Sequence, residues 1–283
     1  MAQLLKGLPV AKAIAKELSE RSGLLNEKGV KPTLAILRVG SRPDDLSYEK
    51  GAVKRCAECG IEVRRVIFSE NVTQQELIES IEEINRDDTI HGVLLFKPLP
   101  KHMDENLVCA ALAPEKDMDG ITEGSMAGIF SGSGKGYPPC TAQACIEILD
   151  HYGIEIQGRR VTVMGRSNVI GKPVFMLLLK RNATVTVCHT KTADPVAECS
   201  RADILIAAAG KAGVITGKHV APGQTVLDVG INVTPEGKLM GDVDFDAAEP
   251  VVGAISPVPG GVGSVTTAVL AKHVIEAAEK SLN

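Results

Sequence analysis

The chain has 283 residues, room for two domains of ordinary size and a large core. Its net charge is −4 with both signs well mixed, and it carries no Trp and only three Tyr, which argues against a nucleic-acid surface. Although 44% of residues are hydrophobic, none form an unbroken apolar run of about eighteen, so no membrane span is expected.

The opening residues to Glu20 read as an amphipathic helix. They include Glu17 and Glu20 and lack the apolar stretch of a signal peptide. From Val10 to Leu25 apolar residues recur at helical spacing. A strand is expected over Thr33–Val39, ending at Gly40. Asp44 and Asp45 then offer an N-cap for a helix over Tyr48–Cys59, closed by Gly60. Ile61–Phe68 reads as a strand. Thr73–Arg86 reads as a helix, with Thr73 and Glu76 at capping-box spacing. His91–Phe96 is a further strand, stopped by Pro98 and Pro100. A loop-rich stretch from Pro98 to Pro139 follows, then a helix over Thr141–Tyr152 with Thr141 as candidate cap.

A second alternating series has strands over Val161–Met164, Thr184–His189, Ile204–Ala208, Thr225–Val229 and Ala254–Ser256. The last helix, Val265–Ala278, has an apolar face that needs a partner surface. The fold class is therefore α/β, with largely parallel sheets. We place an N-terminal α/β domain at 1–139, with the C-terminal helix 264–283 packing back on it. A Rossmann-like parallel-sheet domain takes 140–263, with a cleft between the two.

The seven cysteines are odd in number and scattered, as reduced thiols of a cytoplasmic protein would be. Cys56 and Cys59 form one CxxC with no second pair, and the six His are also scattered, so no metal is expected.

The sharpest motif runs from Val161 to Pro173. A buried strand enters a turn at Gly165 and opens a helix near Gly171, with Pro173 suited to its first turn. Gly165 permits the tight turn, Gly171 permits close packing, and the helix N-terminus attracts phosphate. Ser167 stands where a dinucleotide motif usually has its middle glycine, so an ordinary strand–helix turn would also fit. NAD sites usually place an acid at the end of the next strand. Here no Asp or Glu occurs between Gly171 and Ala193, and that strand ends in His189-Thr190-Lys191-Thr192. With Arg166 beside the turn, these donors suit the 2′-phosphate of NADP. Two later glycine-rich segments, around Gly230 and from Ser256 to Gly263, would also let backbone approach a ligand.

The strings Pro114–Gly120, Pro139–Thr141, Gly165–Ser167, Cys188–Thr192 and Pro257–Gly263 together resemble the methylenetetrahydrofolate dehydrogenase/methenyltetrahydrofolate cyclohydrolase family over essentially the whole chain. The resemblance implies NADP-dependent oxidation of 5,10-methylenetetrahydrofolate to the 5,10-methenyl form, then hydrolysis to 10-formyltetrahydrofolate. It implies tetrahydrofolate substrates and a homodimer. Asp119 matches the acid that holds the pterin, and Tyr48 the aromatic on the aminobenzoate ring. Pro259 and Gly260 match substrate contacts. Arg166 and Ser167, with Gly165 and Thr190, match cofactor contacts, and Ile231 falls where the family backs the nicotinamide.

Two positions depart from the family pattern. Its lysine four residues after the tyrosine is Ala52 here, and its glutamine before Pro-Leu-Pro is Phe96. That lysine is the family's proton handler for hydrolysis, whereas hydride transfer needs orientation above all. The expectation is an intact dehydrogenase and a cyclohydrolase that is weak or uses Lys54 or Lys97. Two other readings are a different dehydrogenase on a Rossmann-like domain and a non-catalytic nucleotide sensor.

Overall fold

The computed structural model describes residues 1–234 and 237–282. It divides into two units: one of Met1–Ala11 with Thr141–Thr266, the other of Lys12–Cys140 with the chain from Thr267 onward.

In the second unit, α1 (Gly7–Glu27, begun in the other unit) leads to β2 (Thr33–Val39). Then come α2 (Pro43–Glu58), β3 (Glu62–Phe68), α3 (Gln74–Arg86) and β4 (Gly92–Leu95). The strands form a parallel sheet in the order β3-β2-β4. Every residue of β2 is buried, as expected of a central parallel strand covered on both faces. Leu77, Ile81 and Ile84 of α3 pack with Leu37, Val93 and Leu95. The capping box of α3 is present: Thr73 Oγ1 accepts from the Glu76 N–H, and Glu76 accepts from the Thr73 N–H. α10 (Thr266–Lys280) buries Val269, Leu270, Val274 and Ile275 completely. A Cβ on Gly92 would strike Met118 and touch Val274, so β4, Met118 and α10 meet too closely for any side chain there.

Three expectations need correction here. The stretch from Pro98 to Pro139 is not mainly loop. It holds α4 (Glu105–Ala111), a 3-10 turn (Pro114–Lys116) and α5 (Glu123–Ser131). Asp104 caps α4 and Thr122 caps α5, but seven and nine residues are too few to show periodicity. α2 begins at Pro43, and its N-cap residue Arg42 gives no side-chain cap. Asp44 and Asp45 lie in the first turn, where carboxylates suit the helix dipole. His91 and Phe96 fall outside β4.

The first unit holds a six-stranded sheet, all parallel, in the order β1-β11-β8-β7-β5-β6. Its elements are β1 (Gln3–Leu4), α6 (Cys140–His151), β5 (Arg160–Met164), α7 (Gly171–Lys180), β6 (Thr184–Cys188), α8 (Pro195–Ser200), β7 (Ile204–Ala207), β8 (Thr225–Asp228) and β11 (Ala254–Ile255). A hairpin of β9 (Asn232–Val233) and β10 (Leu239–Met240) and the short α9 (Phe245–Ala248) stand apart. The N-terminus departs from the 1–139 boundary: Gln3 and Leu4 pair with Ala254 and Ile255. Two residues carry no periodicity, so only this long-range pairing reveals the strand. The strand order reverses at β5, which has β6 on one side and β7 on the other. Ligands of such sheets bind beyond the C-terminal ends of the strands at that point.

One buried pair ties β2 to α2. Arg38 Nε donates to Glu49 Oε2 at 2.9 Å, and Arg65 Nε lies 2.9 Å from Glu49 Oε1. Arg38 is 6% exposed and Glu49 7%, so neither charge has water in reserve. Glu49→Ala is expected to cost about 3 kcal/mol in urea unfolding, because it strands Arg38. A loss below about 1 kcal/mol would mean that the pair behaves as a surface contact.

Candidate functional site

The glycine turn lies where the sheet reverses. Gly165 follows β5 with φ +133°, a backbone conformation that L side chains rarely adopt. A Cβ there would collide with the carbonyl of Ala208, just past β7. The Gly165 N–H donates to Cys188 O at 2.9 Å, and the Ala208 N–H to Met164 O at 2.8 Å. A Cβ on Gly171 would strike the Gly165 carbonyl. The two glycines thus let three strand ends and a helix start converge.

Ser167 has a structural task in the turn. Its Oγ accepts from the N–H of Ile170 at 3.1 Å and its carbonyl from that of Lys172 at 3.0 Å. Ile170 gives α7 no side-chain cap, and Ser167 takes up the first N–H groups instead, its Oγ also accepting from Gly171 at 3.4 Å, so it is the positive end of the helix dipole that suits an anion here. Arg166 is exposed beside it. At the end of β6, the His189 N–H donates to Thr192 Oγ1 at 2.9 Å and the Lys191 N–H to His189 Nδ1 at 3.1 Å. This small turn leaves Thr190 and Lys191 exposed. The next acid, Asp194, accepts from the Ala197 N–H and caps α8. A backbone cradle without room for a side chain, free of acids and flanked by cations, fits a dinucleotide carrying a 2′-phosphate.

Ile231 is 68% exposed. With Pro259 and Gly260 it lines a cavity of about 200 Å³. The sequence placed Pro259 and Gly260 with the folate contacts; the fold puts them in the unit that holds Gly165.

The other expected residues lie in the second unit. Tyr48, half-buried on α2, meets Phe96 edge-on at 6.0 Å between centroids and 83° between planes. Ala52, one turn further along α2, is fully buried. Lys54 is exposed and makes no hydrogen bond or ion pair among the described residues. Lys97 Nζ lies 3.2 Å from Glu105 Oε1, and its carbonyl accepts from Arg42 at 2.8 Å. Arg42 also grips Asp45 through two bonds of 2.9 and 2.7 Å. Arg42 and Glu105 thus orient the segment after Phe96. Arg42 reaches 55 residues along the chain to Lys97, which no local stretch of sequence shows.

The two acids of Asp117-Met118-Asp119 differ in their engagement. Asp117 uses both oxygens on its own loop, accepting from the N–H groups of Ile121 and Thr122 and from Ser125 Oγ at 2.7–3.0 Å. Asp119 Oδ1 accepts from the Cys140 N–H at 2.8 Å. Burial raises the Asp119 carboxyl above its ordinary range, although that N–H bond pulls the other way. A ligand with N–H donors would compensate its charge. Cys56 and Cys59 are fully buried, and burial pushes their thiols up to about 12 and about 11, which makes them poor nucleophiles.

Two outcomes follow from this geometry. Gly165→Ala should weaken NADP binding by about tenfold or more in calorimetric titration, because the backbone at the turn must move. Unchanged affinity would contradict the cradle. Burial raises the carboxyl of Asp228, at the end of β8, to about 6, outweighing the backbone donors that pull it down. An acid raised on folding takes up a proton, so its contribution to stability grows as pH falls from about 6 towards about 4. Carboxyl ¹³C titration should find its midpoint near 6, not near 4.

Comparison with known proteins bears on both units. Residues 5–119 match the model of the tetrahydrofolate dehydrogenase/cyclohydrolase catalytic domain. Residues 139–282 match the NAD(P)-binding domain of the same family. The chain is 48% identical to the bifunctional protein FolD of Clostridioides difficile over 99% of this chain and 98% of that protein. It superposes on the bifunctional FolD methylenetetrahydrofolate dehydrogenase/cyclohydrolase of Campylobacter jejuni with TM-score 0.95 and 37% identity, covering 99% of each chain. For the Trypanosoma brucei enzyme, complexed with NADP cofactor and inhibitor, the TM-score is 0.92 at 36% identity, covering 100% of this chain and 99% of that one. With both halves matched in order and near-complete coverage, the chain belongs to the tetrahydrofolate dehydrogenase/cyclohydrolase family.

Proposed function

We propose that this protein oxidises 5,10-methylenetetrahydrofolate to 5,10-methenyltetrahydrofolate with NADP, and that its cyclohydrolase activity is weak. The observation that carries the first part is the turn at Gly165, whose backbone cradle sits on a path with no acid from Gly171 to Ala193. NADP, when bound, supplies the hydride acceptor. Arg166, Ser167 and Thr190 serve its phosphates, and Ile231 backs the nicotinamide end. Asp119 accepts from the pterin N–H groups, and Tyr48 stacks on the aminobenzoate ring. The folate nitrogen lone pair expels hydride from the methylene carbon, and the product cation loses no proton. Orientation is therefore the main demand on the protein.

Hydrolysis asks for more. Water must be deprotonated at the methenyl carbon, and a ring nitrogen protonated as the adduct opens. Ala52 is a buried methyl and Phe96 a ring packed on Tyr48, so neither handles a proton. Lys97 is engaged with Glu105, and Lys54 lies two residues beyond Ala52, turned to a different part of the helix. The protein is further read as cytoplasmic and homodimeric, as its resemblance and its scattered thiols suggest.

A paired assay tests both parts. Cofactor reduction should follow mixing with 5,10-methylenetetrahydrofolate, faster with NADP than with NAD. Hydrolysis of the methenyl form should stay near the spontaneous rate, about a hundredfold or more below a relative with the lysine. Hydrolysis far above that rate would overturn the weak-cyclohydrolase reading. If Lys54→Ala or Lys97→Ala then abolished it, the substitute would be identified.

A further inference from the structure

β8 ends in Asp228, and the chain runs through Gly230 and Ile231 before β9 begins at Asn232. β10 returns to Asp242. Asp228 is 4% exposed and Asp242 0%. Burying two neighbouring carboxylates is costly unless each is supplied with donors. Both are. Asp228 Oδ1 accepts from the N–H groups of Gly230 at 2.9 Å and Asp242 at 3.0 Å, and Oδ2 from that of Val243 at 2.9 Å. Asp242 Oδ1 accepts from the Lys211 N–H at 2.9 Å and from Asn232 Nδ2 at 3.0 Å, and Oδ2 from the Gly210 N–H at 2.8 Å. Side chains are excluded where this network closes: a Cβ on Gly230 would strike the Asp242 carboxylate, and one on Gly241 that of Asp228.

The residues on either side of Ile231 are therefore each tied to a different buried carboxylate. Ile231 itself is 68% exposed and lines the 200 Å³ cavity with Gly230, Leu239 and the Pro257–Ser264 loop. Stability alone gives no reason to clamp an exposed aliphatic side chain so firmly. We infer that Asp228 and Asp242 are positioning residues for hydride transfer, holding Gly230–Asn232 so that Ile231 fixes the distance and tilt of the nicotinamide ring. The inference rests on the reading of Ile231 given above. The carboxylates touch neither substrate nor cofactor; they act through Ile231.

The test is a double-mutant cycle on the full-length enzyme, with melting temperature followed throughout. Asn232→Ala removes one donor to Asp242 and leaves both carboxylates their backbone partners, so the fold should persist. Its kcat for methylenetetrahydrofolate oxidation should fall about tenfold with KM for NADP and folate little changed. Ile231→Ala should lower kcat similarly, and Asn232→Ala added to it should do little more, because one route is already lost. Asp242→Asn turns an amide towards donor groups and should show the same pattern more strongly. Wild-type kcat in Asn232→Ala, additive losses, or a kcat that tracks melting temperature would each overturn the inference and leave the role of Ile231 standing. Wild-type kcat in Ile231→Ala would remove that role and the inference together.

Discussion

The nucleotide side depends on one close approach, where the backbone at Gly165 passes the carbonyl of Ala208 with no room for a methyl group between them. β5 and β7 are neighbours in the sheet; β5 leads into α7, whereas the chain after β7 runs on without a helix to β8. The reversal of strand order marks a crevice there, and glycine keeps its floor at backbone height. Gly171 repeats the requirement one turn later by bringing the start of α7 against the Gly165 carbonyl. The anion-attracting end of a helix is thus aimed at the crevice by steric exclusion, and Arg166 and Thr190 need only supply donors at its rim.

Carboxylates do the comparable work around the loops. Asp117, Asp228 and Asp242 are buried and accept mainly from backbone N–H groups, so each replaces a missing strand or helix as the partner of irregular chain. Asp119 is half-buried and takes its donors from Cys140, whereas Asp117 spends both oxygens on its own loop. An acid not spent on its own loop is one that a donor-rich ring can satisfy. That contrast supports the assignment of the pterin to Asp119, not Asp117, on physical grounds.

How much of this was legible in the sequence follows from the range of the interactions. The capping box at Thr73, the strand Thr33–Val39 and the glycine turn at Gly165 are local, and all read correctly. The stripe of α10 announced its buried face. α4 and α5 were hidden because each is barely two turns long and lies among prolines and glycines. β1 exists only because Gln3 and Leu4 meet Ala254 and Ile255 across the length of the chain. Arg42 and Asp242 are likewise defined by distant partners, Lys97 for the one and Gly210 and Lys211 for the other, so no short window of sequence contains their reason.

On the function proposed above, the pair Ala52 and Phe96 would remove one reaction from the site without disturbing the other. Both side chains are buried, and Phe96 lies edge-on to Tyr48, so apolar packing takes the place of a lysine and its amide partner. A buried ammonium carries a desolvation cost that a buried methyl avoids. Hydride transfer would tolerate the change, because its charge develops on the substrate itself and is met by orientation, not by proton movement. The product of such an enzyme is a reactive cation, and a separate hydrolytic reaction must then consume it, or else the oxidation must run in reverse to draw on it. On that reading the site chemistry, more than the fold, sets which of the family's two steps the chain performs.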